Sequence, residues 1–297
     1  MSNMMQALST VFLAIMLLPL SGCDPFSPVS SVSLDAPDTV VVHNICAERY
    51  GDSWTRPEKA ELVARRNFVW PHHVSDTMVF PVRFMNGSDW QHQQVKRYAP
   101  AWTKATNGKL KFFFLVDPLQ DTIAAIRIRF EDGPSWSDVG NSALKVPQNE
   151  HTMLFGWVDQ KEDSNSVRAL ILHEFGHAIG FVHEQQHPQA AIRWDTLKTY
   201  AYYLALNPTW TEATVRENVF NKFDRSETNY SGYDRMSIMH YFIPNSITRG
   251  DFEVGMRTRL SAIDQAFVKQ IYPLELCPPG GMCYVNKEGD RTRGTPN

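Results

Sequence analysis

The chain has 297 residues, with 29 Lys and Arg against 32 Asp and Glu and a formal net charge of −3. This balance leaves no basic footprint for nucleic acid, and no basic block compensates for it, which argues against a polynucleotide partner. A hydrophobic content of 43% and a charged content of 21% are those of an ordinary globular protein, long enough for one large domain or two small ones.

Taken in order, Val11 to Leu20 is an apolar run too short to span a bilayer and of the right size for the core of a signal peptide. Leu20-Ser21-Gly22-Cys23 follows directly and resembles the lipobox of bacterial lipoproteins, which implies lipidation of Cys23 and a membrane anchor in the cell envelope. An ordinary secretory signal cut near the same small residues is the alternative. Met1 to Thr10 holds no Lys or Arg, a departure from both. With Cys23 assigned to lipid, Cys46, Cys277 and Cys283 remain. Either Cys277 and Cys283 close a small loop, or Cys46 ties the front of the chain to its tail; spacing leaves both open.

Asp24 to Val42 reads as a tether, rich in Ser, Pro and Asp. Glu58 to Arg66 has the pattern of a short helix, and Thr77 to Met85 that of a strand placed at an edge or bulge by Pro81. Ser88 to Thr106 is expected to be helical with Ser88 as its cap. Lys111 to Val116 and Ile123 to Phe130 read as strands, the second alternating Ile126, Ile128 and Phe130 against Arg127 and Arg129. A further apolar run covers Thr152 to Val158. Beyond a polar turn, Ser164 or Asn165 is expected to cap the next helix. Asp195 to Leu206, Thr211 to Phe220 and Ser261 to Tyr272 are the remaining helices, the last with a cap-like Ser261 and Asp264 pair.

The chemistry concentrates in His173-Glu174-Phe175-Gly176-His177-Ala178-Ile179-Gly180-Phe181-Val182-His183-Glu184. On a helix, His173 and His177 lie one turn apart on one face, so two imidazoles converge on a single cation. Glu174, beside the first ligand, can reach a water at that cation without ligating it, as a general base must. His183 would be about 15 Å from His173 in an unbroken helix. Gly180 supplies the left-handed stop that turns the chain back. Three neutral histidines leave zinc a fourth position for water, the arrangement of a catalytic site. One zinc ion per chain is expected.

Farther on stands Ser237-Ile238-Met239-His240-Tyr241. Together, H-E-x-x-H-x-x-G-x-x-H and this second motif resemble the astacin family of metzincin zinc endopeptidases. The resemblance runs from about Arg66 to Pro273 and takes in Arg66-Asn67, Trp70-Pro71, Ser137-Asp138-Val139-Gly140, Leu260-Ser261-x-x-Asp264 and Ile271-Tyr272. It implies an α+β metzincin-like fold: a twisted mixed sheet with helices, including the zinc helix, then a mostly helical and loop C-terminal part. On this reading residues 1–22 are a signal peptide, 23–66 a tether and possible pro-segment, 67–276 the catalytic domain (67–180 upper half, 181–276 lower half) and 277–297 a tail.

The resemblance also implies roles. Met239 forms the Met-turn beneath the histidines, and Tyr241 is a ligand at rest and a hydrogen-bond donor to the oxyanion during attack. His240 is expected to point away from the metal, and His187 to be a loop residue. Glu184 would meet the amino terminus of the trimmed enzyme, and Asp52, after Gly51, would block the zinc in a latent form. Gln185-Gln186-His187-Pro188 replaces the family's usual run after the zinc helix, and no Cys lies between Asn67 and Pro273. The implied reaction is peptide hydrolysis with Glu174 as base. Substrate is expected along a sheet edge, with Asn141 to Pro147 as the candidate. A zinc-binding surface adhesin without proteolysis and a zinc amidase acting on cell wall are the rival readings.

Overall fold

The computed structural model describes residues 46–49, 69–70, 77–116, 123–160, 163–223 and 231–272. The expected helix over Glu58 to Arg66, the lipobox, Asp52 and the Cys277–Cys283 tail lie outside them. Strands β1 (Cys46–Arg49), β2 (Met78–Phe84), β3 (Leu110–Phe114), β4 (Ile126–Phe130), β5 (Ser135–Asp138) and β6 (Met153–Phe155) form one sheet in the order β1-β5-β6-β4-β2-β3. Only the β5–β6 pairing is antiparallel. The helices are α1 (Asp89–Tyr98), α2 (Pro100–Ala105), α3 (Ser164–Ala178), α4 (Thr196–Leu206), α5 (Glu212–Val215) and α6 (Ala262–Ile271). The α+β class with a mixed sheet is as the sequence implies.

Most element bounds fall within a few residues of expectation, and the differences have local causes. Ser88 does cap α1, through a reciprocal capping box with Gln91, but Pro100 has no N–H to continue the ladder and starts a separate helix. The cap of α3 is Asp163, whose carboxylate accepts from the backbone N–H groups of Asn165 and Ser166. A carboxylate at a helix N-terminus also meets the positive end of the dipole, so Asp163 prevails over the Ser164 or Asn165 expected there. Asn141 to Pro147 is not a sheet edge: Gly140–Lys145 forms a 3-10 helix. The strand in this region lies earlier, at β5.

Arg127 departs most from its expected place. Alternation against Ile126 and Ile128 predicts an outward side chain, yet it is buried. Its guanidinium donates to the carbonyls of Glu150, Ala124, Ala143 and Val146. Burial pushes its pKa down to about 10, yet the four carbonyls favour the charged form and a guanidinium does not deprotonate in proteins. Arg127 thereby ties β4 to the connection between β5 and β6.

The main apolar cluster joins the sheet to α1, α2, α3 and α6 and also takes in Phe181, Ile238 and Met239 from beyond the zinc helix. A second cluster gathers Tyr203, Trp210, Val215, Val219, Tyr241 and Ile243 with Cys46. Helix α3 is buried nearly all round, with Ala169, Leu170, Ile171 and Leu172 covered in succession. A helix enclosed in this way has fixed rotamers on every face, which suits it to hold ligands.

Candidate active site

The helix α3 ends as the sequence requires. Gly180 has φ 96°, its N–H donates to His177 O at 2.8 Å, and Phe181 N–H donates to Gly176 O at 2.9 Å. This pair of crossed bonds is a Schellman closure, which reverses the chain and returns His183 to the first two histidines. The Phe181 carbonyl freed by that reversal accepts from His177 Nδ1 at 2.8 Å. His173 Nδ1 likewise donates to Ile238 O at 2.8 Å. Since carbonyls only accept, both rings carry their proton on Nδ1 and turn bare Nε2 atoms to the centre.

His177 Nε2 stands 3.1 Å from the Nε2 of both His173 and His183. Two lone pairs at that distance repel unless a cation lies between them. Tetrahedral zinc with bonds of about 2.0–2.1 Å would separate its nitrogens by about 3.3 Å, so the three rings fit the ion. Burial pushes the pKa of His173 and of His177 down to about 3, which keeps both imidazoles in the neutral ligating form.

The fourth member of the cluster is Cys46. Its Sγ lies 3.0, 3.3 and 3.1 Å from Nε2 of His173, His177 and His183. Cys46 is a free, buried thiol, not the partner of a tail cysteine, and it takes the position that three histidines alone would leave open to water. The donor set is one thiol and three imidazoles. Glu48, two residues along the same strand, accepts from His183 N–H at 2.8 Å, and the same oxygen lies 3.1 Å from His183 Nδ1. Strand β1 thus covers the cation site and holds its third ligand.

Glu174 is fully buried, with the Cys46 thiol beside its carboxylate. Burial pushes its pKa well above the ordinary carboxylate value. A buried carboxylate beside that thiol and three converging imidazoles is placed to serve a reacting molecule. The Tyr241 hydroxyl donates to the backbone carbonyl of Cys46. It therefore bonds a carbonyl oxygen of a strand crossing the site.

Beneath the site, Met239 packs onto Gly176: a Cβ added there would lie 2.3 Å from Met239 Sδ. The turn that carries Met239 is pinned by Asp264, which accepts from Ser237 Oγ at 2.7 Å and Ile238 N–H at 2.9 Å. Asp264 also joins Ser261 in the capping box of α6. His240 points to Tyr241 O through Nδ1 and to the Tyr233 hydroxyl through Nε2, away from the three Nε2 atoms. His187 bonds Ser231 O.

Glu184 is largely buried, accepts from Asp234 N–H at 2.7 Å, and burial pushes its pKa up to about 8. Residue 67, the amino terminus expected to meet it, is outside the described residues. Gln185, in the run that departs from the family's pattern, accepts from Tyr241 N–H at 3.2 Å and donates to Asn218 O at 2.9 Å. It joins the loop of the third ligand to Tyr241. Sequence reasoning did not single out Cys46, Glu48 or Gln185 for the site. A period-two pattern, Cys46 and Glu48 inward with Ala47 and Arg49 outward, was the available signal.

The family model for astacin, a peptidase family, matches residues 114–273. Among solved structures, myroilysin is 38% identical with a TM-score of 0.64, and the match covers 71% of this chain and 98% of that one. Bone morphogenetic protein 1 of Xenopus laevis is 30% identical over 153 residues, 43% of this chain but 18% of its own length. The chain thus spans less than a fifth of that relative. High choriolytic enzyme 1, a hatching enzyme zinc-protease from Oryzias latipes, matches at 19% identity with a TM-score of 0.50 over 70% of this chain and 95% of that one, a likeness of fold.

Proposed function

The chain belongs to the astacin family of peptidases, and on that premise we propose that it is a zinc-dependent endopeptidase held latent by its own strand β1. The observation that carries the proposal is the pairing of Glu174 and Tyr241 around three histidines whose fourth position is filled by Cys46. A purely structural centre of one thiol and three imidazoles would have no use for a buried carboxylate beside it, or for a phenol aimed at a carbonyl. Zinc held by His173, His177 and His183 supplies Lewis acidity and brings the pKa of water toward neutrality when bound.

Glu174 then accepts the proton of the attacking water and returns it to the leaving amine. Tyr241 donates its hydrogen bond to the substrate carbonyl oxygen as negative charge builds there, releasing the Cys46 carbonyl when β1 departs. The edge of β5 that β1 now covers becomes free to pair with an extended peptide, which backbone hydrogen bonds can hold irrespective of sequence. Loss of the residues before about 67 would remove β1. Among the described residues before 67, Cys46 meets the histidines; Asp52, the latency switch expected from the family, lies outside the described residues.

Membrane attachment through a lipid on Cys23, in a bacterial cell envelope, belongs to the same proposal and is supported by Leu20-Ser21-Gly22-Cys23. Glu184 as receptor of the trimmed amino terminus is supported by its burial against Asp234. The test is peptide-library cleavage by the full chain, by Cys46→Ser and by Cys46→Ser with Glu174→Ala, each with zinc content measured. Cys46→Ser is expected to raise cleavage at least tenfold, and the added Glu174→Ala to abolish it while zinc stays near one per chain. Stoichiometric zinc in Cys46→Ser without cleavage of any peptide would refute the proposal.

A further inference from the structure

Strand β1 also carries a cation into a seat on β5. Its side chains alternate: Cys46 and Glu48 face the histidines, and Arg49 turns to the other face, above β5. There the Arg49 guanidinium carbon lies 4.6 Å from the ring centroid of Trp136. Its Nε is 3.8 Å from Asp138 Oδ1, and its Nη1 donates to His151 O at 3.5 Å. An aromatic face, a carboxylate and a carbonyl therefore converge on one planar cation, the combination that receives a guanidinium. Asp138 is wholly buried and Arg49 only 13% exposed, so this is an enclosed seat. Arg127 is also within electrostatic range of Asp138, but its donors are committed to four backbone carbonyls.

Registration ties this seat to the reaction. Cys46 pairs with Ser135 and Arg49 with Asp138 along β5. The seat is thus three strand positions, about 10 Å, from the residue over the metal. We infer that Trp136 and Asp138 form a subsite for an arginine or lysine side chain two to three residues from the cleaved bond, occupied in the latent form by Arg49. This rests on the peptidase reading and on β5 as the strand that receives substrate. On departure of β1 Arg49 leaves the seat, and a basic substrate residue is the ligand of matching shape and charge. Arginine is favoured over lysine because its plane can lie on the indole while its edge meets the carboxylate.

Two measurements test this, one independent of turnover. In the full-length chain, alkylation of Cys46 mapped by mass spectrometry reports how often β1 lifts. Arg49→Met should speed it about tenfold, with Arg49→Lys between the two; equal rates for wild type and Arg49→Met would overturn the seat. In full-length Cys46→Ser, peptides with Arg against norleucine at each position flanking the cut should show a preference of about tenfold in kcat/KM at one position two to three residues away. That ratio should fall toward one in Trp136→Leu and in Asp138→Asn. Cleavage without such a preference overturns the subsite and leaves the peptidase standing; absence of all cleavage overturns both.

Discussion

Replacing Gly176 by alanine sets two effects of opposite sign against each other. In a helix interior, alanine is better than glycine by about 0.8–1.0 kcal/mol, because it loses less backbone entropy. Against this, the new Cβ would stand 2.3 Å from Met239 Sδ, 3.1 Å from Met239 Cε and 3.2 Å from Trp102 Cζ2, where relaxed contacts need about 3.5–4.0 Å. Met239 cannot swing clear at little cost, since it is buried on a turn pinned through Asp264. Overpacking of this kind costs about 1–3 kcal/mol. The net expectation for Gly176→Ala is a loss of about 0–2 kcal/mol, and in a Met239→Ala background a gain of at most about 1 kcal/mol, since the Trp102 contact remains. The coupling energy is therefore about 1–3 kcal/mol, measured by urea unfolding of the four proteins at one fixed zinc concentration. A second readout is zinc affinity. Displacing Met239 moves the neighbouring Ile238 carbonyl that orients His173, and loss of such an outer partner costs about 10–100-fold. If Gly176→Ala were equally stabilising in both backgrounds, Met239 would not be seated on Gly176.

Arg127→Met should destabilise by about 3–5 kcal/mol in urea unfolding, because four carbonyls lose their shared donor inside the fold. Arg127→Lys should recover less than half of that, as an ammonium lacks the planar reach. In the Cys46→Ser background, Tyr241→Phe should lower kcat by about 10²–10³ with KM and zinc content little changed, the signature of a donor used in the transition state; an unchanged kcat would remove Tyr241 from the chemistry.

The ligand set was legible in the sequence because its information is local. His173 and His177 are one helical turn apart, and the Gly180 closure that returns His183 is complete within Gly176 to Phe181. Caps such as Ser88 and Ser261 are readable for the same reason, each bonding a backbone N–H three residues on. Arg127 was misread because period-two alternation gives the face of a strand but not whether that face is covered. Strand β5 was missed and the following turn read as an edge, because Ser135–Asp138 is short, polar and recognisable only by what pairs with it.

The fourth position of the metal site was the least legible, and the reason bears on how latency works. Cys46 lies 127 residues before His173 in the chain, so its place depends on long-range contacts, above all β1 adding to β5. That addition uses four residues, and its backbone pairing is independent of side-chain identity. What fixes the register is the side-chain set: Cys46 on the histidines, Glu48 on His183 and Arg49 on Trp136 and Asp138. Moving β1 by one residue would turn Cys46 and Glu48 away from the site and bring Ala47 and Arg49 over it. Four described residues of backbone pairing are few for an edge, and the side-chain contacts of Cys46, Glu48 and Arg49 add to them. Such contacts can be undone at once by cutting the chain beyond Arg49, since the strand then binds only as a separate, weakly held peptide. The same reasoning predicts that a synthetic peptide spanning β1 should inhibit the trimmed enzyme weakly, at micromolar concentration or above, and lose that inhibition when Cys46 is replaced by serine. Equal inhibition by the two peptides would mean that pairing with β5, and not the thiol, holds the site closed.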